Sequence, residues 1–179
     1  MKAVMKSVSP RICEKVAKGD CTILVSKTAP KCDVPFKCYI YVKKGKPNLY
    51  RVDDDDNFEL TNALRPKVYR YVKDYNEQNG KVIGEFVCDK VFLLHPYTYD
   101  RGSADLERRK FIQTFEGSSK ENEILAATCL TQDEMFDYIG AGNYGYGWHI
   151  SDLKIYGNPK ELSEFGFTRP PQSWCYIES

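Results

Sequence analysis

Apolar and polar positions alternate with a period of two in several short stretches of this chain, and recur with a helical period in fewer. Residues 3–8 (AVMKSV) alternate loosely and predict a strand. Ser9 and Pro10 then open a predicted helix, Ser9 as N-cap and Pro10 at the first helical position. Ile12, Cys13 and Val16 give that helix an apolar face, and Gly19 suits a left-handed position at its end. Residues 21–28 (CTILVSKT) read as a strand with Ile23 and Val25 on one face and Thr22, Leu24 and Ser26 on the other. Residues 36–44 (FKCYIYVKK) are rich in aromatic and β-branched side chains, as a strand requires.

The pattern changes over residues 45–80, which read as an insertion between core strands. A turn (GKPN), a short strand (LYRV), four consecutive acids (Asp53–Asp56) and a stretch over 62–80 that fits a helix, or a strand by the alternation of Tyr69 and Tyr71, follow one another there. Four adjacent carboxylates cannot all converge on one ion, so the acidic run is read as a solvated loop. Beyond Asn79-Gly80, residues 81–94 form one long strand-like run, in which Gly84 signals a bulge or a close backbone approach. Residues 96–120 are polar and irregular, and 121–129 look helical. Residues 131–140 are the best-marked helix, with Thr131 and Glu134 as a capping box, Leu130 and Met135 as a staple and Gly140 as the stop. A second capped helix is expected from Asn158-Pro159 to Gly166, with strands at 148–157 and 173–179. The sum is a single α+β domain over 1–179, a small, mostly antiparallel β-barrel with peripheral helices.

Composition narrows the function classes. Of 179 residues, 42% are hydrophobic and 28% charged, which suits a globular chain. No apolar run spans a bilayer and the first ten residues lack a secretory pattern, so a cytoplasmic protein with no membrane role is expected. The net charge of +1 conceals an asymmetry: residues 1–50 hold 11 Lys/Arg and 3 Asp/Glu, a local net of +8. A basic first third fits a polyanion-facing surface, with Lys15, Lys18 and Lys27 its candidate contacts, or simply a set of solvated lysines. Seven cysteines, an odd number with no CxxC pair, and only two histidines argue against a disulfide framework or a zinc site. Neither a metal nor a cofactor is expected.

Two segments hold the candidate chemistry. The first joins the early helix to the second strand and carries Cys21, Thr22, Ser26 and Lys27. The second is Gly140–Asp152, where four glycines and three aromatics fall within residues 140–148. Glycine loses much backbone entropy on folding, so such a stretch is kept where a backbone or a ligand approaches closely. Tyr144, Tyr146, Trp148 and His149, with Ser151 beyond them, are read either as a recognition surface or as the cap of a barrel end.

The stretches GYGWHISDLKIY, PKELSEF and PPQSWCY, with S-x-P and F-K-x-Y-I-Y earlier, resemble ASCH-domain proteins of the PUA-like superfamily. The resemblance covers residues 1–44, 80–95 and 129–179, and the closing stretch resembles proteins common in low-GC Gram-positive bacteria and their phages. It implies a small barrel with a cleft and recognition of RNA or a modified nucleoside. The family signature Gly-x-Lys-x-x-Glu-x-Arg is kept only at Gly19, because Cys21, Leu24 and Ser26 stand at its charged positions. The resemblance therefore implies loss of the amidohydrolase chemistry some members carry, and no catalytic residue is assigned. Cys21 with His149 would be the remaining nucleophile pair, if the fold brought them together.

The leading expectation is a non-catalytic module binding RNA, DNA or a nucleotide. A phage-type inhibitor of a defence nuclease such as a CRISPR effector, and a small amidohydrolase or nuclease acting on nucleosides or RNA, are the alternatives.

Overall fold

The computed structural model describes residues 1–52, 57–62, 76–99, 109–114 and 118–178. It is a mixed α+β fold with its strands in three sheets. The chain begins with β1 (Ala3–Val8), followed at once by α1 (Pro10–Ala17). Pro10 occupies the first turn as expected. The Ser9 backbone carbonyl accepts from Ile12 and Cys13, but the Ser9 side chain makes no capping bond. Gly19 adopts φ +80°, which lets the chain reverse into β2 (Ile23–Ser26).

The largest sheet contains β1, β3 (Phe36–Val42), β7 (Val82–Cys88), β11 (Ser151–Lys160) and β12 (Trp174–Tyr176), in the order β11-β7-β3-β1-β12. All its pairings are antiparallel except β1 with β3. That parallel pair exists because α1 and β2 intervene, carrying the chain to a second sheet and back before β3 starts. The second sheet is antiparallel throughout: β2, β10 (Gly145–His149), β8 (Val91–Tyr99) and β9 (Arg109–Thr114), in the order β2-β10-β8-β9. A small third sheet joins β4 (Asn48–Arg51), β5 (Phe58–Thr61) and β6 (Asn76–Glu77). No ladder among the described residues closes these sheets into a barrel.

The main core lies between the first two sheets and under α1. Val4, Val16, Leu24, Phe36, Ile40, Phe86 and Trp148 meet there, and Leu49 and Phe58 of the small sheet join them. The opposite face of the large sheet is covered too, Met5, Tyr41 and Val82 packing under Leu162, Phe165, Phe167 and Ile177. Burial on both faces explains why residues 3–8 alternate only loosely. A third cluster seats α2 (Ser118–Ala127) and α3 (Gln132–Ile139) on the second sheet through Leu94, Ile112, Leu125, Met135 and Ile139. Thr131 and Glu134 form the expected capping box.

Several expected elements differ. The run 81–94 is not one strand: β7 and β8 are separated by Asp89-Lys90 and belong to different sheets, two charged residues marking a break that an otherwise apolar run disguises. Residues 96–120, read as irregular, contain the end of β8, all of β9 and the start of α2. The helix expected over 158–166 is only a 3-10 turn at Leu162–Phe165, because β11 continues through Pro159 to Lys160, which an edge strand tolerates. The expected strand 148–157 divides at Ile150 into β10 and β11, and 173–179 shortens to β12. The acidic run Asp53–Asp56 and most of the helix expected over 62–80 lie outside the described residues, and Asn76-Glu77 are strand.

Candidate functional site

The glycine-rich stretch is mostly strand. From Gly145 it forms β10, between β2 and β8. A Cβ on Gly147 would sit 2.8 Å from Ile23 Cγ2, and one on Gly145 would collide with Ile139. These two glycines serve the approach of protein to protein, β10 against β2 and α3.

Alternation along β10 then separates the residues singled out above. Trp148 points inward and is fully buried, edge-on to Phe36 (5.4 Å between ring centres) and to Trp174 (5.8 Å). This corrects the expectation that its ring belongs to a recognition surface, since no face is left for a base. His149 points outward beside the β7–β8 turn, its Nδ1 2.6 Å from Asp89 Oδ1, and this bond holds the Asp89 carboxyl below the usual carboxylate range. Cys21 precedes Thr22, whose carbonyl accepts from the Ile150 N–H, but its thiol is buried against the carbonyls of Ile23 and Thr128. The Cys21 thiol and the His149 ring thus have different partners, and burial pushes the Cys21 thiol up to about 12.

The other candidates scatter similarly. Lys15 Nζ reaches the Cys129 carbonyl at 3.5 Å, and Lys18 pairs with Glu14 at 2.8 Å. Thr22 is exposed, Ser26 is buried with its hydroxyl unpartnered, and Ser151 donates to the Val87 carbonyl. Lys27, Tyr144 and Tyr146 do converge. They line an open groove of about 890 Å³ together with Lys31, Trp174 and Tyr176. Tyr144 and Tyr176 are among the most exposed large apolar side chains, at 49% and 42%. Tyr144 is braced on one side by His95, stacked at 4.9 Å, and Tyr176 by Trp174, edge-on at 5.3 Å. Trp174 is fixed in turn by donating from Nε1 to Thr28 Oγ1 at 2.8 Å. The groove is therefore walled by pre-positioned rings, with two exposed lysines and no carboxylate among the described residues lining it.

A second feature escaped the sequence reading. A cleft of about 240 Å³ opens between the end of β1, the first turn of α1, β2 and α3. Lys6 lines it, 3% exposed, with its Nζ 4.5 Å from the centre of the Trp148 ring. No carboxylate pairs with Lys6 among the described residues. Burial holds the Lys6 ammonium down to about 8, with the Cys38 thiol pulling the other way and the like charge of Lys43 adding a smaller push down. The signal was present: Val4, Lys6 and Val8 share one face of a strand whose other inward residues are apolar, so a lone charge stood at a core position. Trp174 and Tyr176 were missed as groove residues because only tertiary packing brings β12 beside the β10 entry.

All seven cysteines are free. Among the described residues no group of three or more His, Cys, Asp or Glu is placed to hold a metal ion, and no helix is long and apolar enough to cross a membrane.

No protein-family description matches the chain, and no curated protein matches it. Among solved structures it is similar to the ASCH protein of Zymomonas mobilis, with a TM-score of 0.56 at 12% identity, covering 99% of this chain and 88% of that one. Two mutant forms of the Zymomonas protein match at TM-scores of 0.56 and 0.53, again at 12% identity. The chain shares the ASCH fold.

Proposed function

We propose that the chain is a nucleic-acid-binding module of the PUA-like kind that holds single-stranded RNA in the groove between the β2–β3 connection, the Tyr144 turn and β12. The observation that carries this reading is the company the exposed rings keep. Tyr144, Tyr146, Trp174 and Tyr176 share one open groove with Lys27 and Lys31. Base stacking on aromatic side chains is worth about 1–3 kcal/mol per base, and needs rings already held in place. Lysines with no carboxylate among the described residues lining the groove supply the positive charge that neutralises a nucleic-acid backbone. The ASCH fold supports the reading, because RNA recognition is what the resemblance implies. The binding is non-catalytic: the charged signature positions hold Cys21, Leu24 and Ser26, all buried.

The test is titration of a short single-stranded RNA, with single-stranded DNA and duplex RNA as comparisons, at several salt concentrations. Tyr144→Ala and Tyr176→Ala should each weaken binding by about 1–3 kcal/mol without lowering the melting temperature. Lys27→Ala with Lys31→Ala should reduce the log–log salt slope by roughly 0.7 per lysine lost. Wild-type affinity and salt slope in all three variants would refute the assignment to this groove.

A further inference from the structure

We propose that the cleft beside β1 is a binding site for a small oxyanion, the carboxylate or phosphate monoester group of a small molecule, with Lys6 as its buried cation and Lys43 and Ser9 at its mouth. The site is distinct from the groove, and Lys6 is not among the groove's lining residues.

The first argument is the missing counter-charge. A fully buried ammonium is costly unless paired, because burial strips its hydration. Lys6 has the face of Trp148 beneath it at 4.5 Å and no carboxylate. A cation–π contact offsets only part of that cost. An oxyanion entering the cleft would supply the rest.

The second argument is the surroundings. The titratable groups that face Lys6 or the cleft are Lys43, Glu134, Tyr138 and the Cys38 thiol. Lys43 is exposed at its rim. Glu134 also lines it, but Arg11 neutralises that carboxylate at 2.6 Å, and it accepts from the Thr131 backbone N–H at 2.8 Å. The cleft therefore keeps a net positive field. Ser9 contributes a hydroxyl that makes no cap to its own helix and so is free to donate to an anion. Ile12, Ile23 and Leu24 give apolar walls for the rest of the ligand. At about 240 Å³ the volume suits a small molecule or one end of a larger one.

The third argument is proton linkage. An ammonium held down to about 8 is partly deprotonated in mildly alkaline solution, and a bound anion would restore its proton. Binding should thus take up protons near pH 8 and weaken as the pH rises further.

The experiment is an amide-resolved NMR titration of the full chain with acetate, inorganic phosphate and uridine 5′-monophosphate, each to about 10 mM, tenfold above a millimolar Kd. Calorimetry near pH 8 in two buffers of different ionisation enthalpy measures proton uptake. At least one probe should shift the amides of Ser9, Ile12 and Thr128 and take up a fraction of a proton. Response to acetate identifies a carboxylate site, and response to the phosphates alone a phosphate site. Lys6→Met should cut affinity at least about tenfold, as loss of a charge-assisted contact predicts, with Lys43→Ala weaker in effect. Melting curves establish that both variants are folded. Absence of shifts at those amides with all three probes, or affinity unchanged in folded Lys6→Met, would overturn the proposal. RNA titration of Lys6→Met reports on the groove independently.

Discussion

The ammonium of Lys6 lies 4.5 Å from the centre of the fully buried Trp148 ring, a cation on an aromatic face with no anion beside it. The two side chains come from different sheets, β1 and β10, so this contact crosses the main core. It joins the least favourable residue of the interior to one of its largest, and the stability of the fold should register both.

Replacing Lys6 by methionine keeps the length of the side chain and removes the buried charge. The Lys6 pKa falls from 10.5 in the unfolded chain to about 8 in the fold. A base with a lowered folded pKa destabilises the fold fully below that value. Between about pH 8 and 10.5 the unfolded chain binds the proton and the folded one does not, so stability rises with pH through that window. Lys6→Met should therefore be more stable than wild type at pH 7, by up to about 3 kcal/mol, since each pKa unit is worth about 1.4 kcal/mol. The gain should shrink towards pH 10. Buried thiols act in the opposite sense above about pH 9 in both proteins, and all but Cys38, whose thiol faces Lys6, cancel in the difference, so the comparison is read below pH 9. Urea unfolding of both proteins from about pH 6 to 9 measures it, and a gain that stays constant with pH would contradict the linkage.

Trp148 should behave as a core residue. Trp148→Ala should cost about 3–5 kcal/mol of stability, as large-to-small changes of buried aromatics do. Trp148→Phe preserves an aromatic body and deletes an indole N–H that has no partner among the described residues. It should remain folded and keep wild-type RNA affinity. Denaturant unfolding run beside RNA titration separates the two effects, and weak RNA binding in a stable Trp148→Phe would return this residue to the binding surface.

How much of this was legible in the sequence follows from the range of the forces involved. Local signals held: Pro10 in the first turn of α1, the Thr131–Glu134 capping box and the turn at Gly19 each depend on neighbours within a few residues. The ASCH-like fold was legible through GYGWHISDLKIY and PPQSWCY, although the pattern of GYGWH read as a loop. Its glycines are explained by Ile23 and Ile139, which lie far along the chain and become neighbours only on folding. The 81–94 run hid the Asp89-Lys90 break because both flanking strands are apolar. Of the residues that line the groove, Lys27, Tyr144 and Tyr146 stood in the two segments singled out from the sequence. Trp174 and Tyr176 did not, because nothing local announces that β12 pairs with β1 and turns its rings towards the groove.

The close fit of Gly147 against Ile23 predicts a coupled pair. Ile23 Cγ2 is attached directly to Cβ and cannot swing aside as the end of a long side chain could. Gly147→Ala should cost about 1–3 kcal/mol through overpacking. Ile23→Ala alone should cost about 2–5 kcal/mol through the cavity it leaves. The double variant should lose clearly less than the two costs combined, because the new methyl enters space that Cγ2 vacates. A double-mutant cycle by urea unfolding reads the coupling directly, and strict additivity would mean that β10 shifts to relieve the contact instead.

The thiols offer a final check on the interior. Cys13, Cys21, Cys38 and Cys88 are buried, whereas Cys32 and Cys129 are partly exposed and Cys175 packs under the outer face of the large sheet. Burial pushes Cys21 and Cys88 up to about 12 and raises Cys13 and Cys38 as well. The thiolate is the reacting species, so at pH 7.5 these four should be protected twice, by access and by protonation. Native protein treated with an aromatic disulfide reagent should label rapidly at Cys32 and Cys129, more slowly at Cys175, and at the other four only on unfolding. Peptide mapping by mass spectrometry assigns each site. Rapid labelling of Cys21 in the folded protein would mean that its thiol meets solvent or a cation, and would reopen nucleophilic chemistry at that strand. Cys21→Ser should likewise leave RNA affinity unchanged, because Cys21 faces the carbonyls of Ile23 and Thr128 and not the groove.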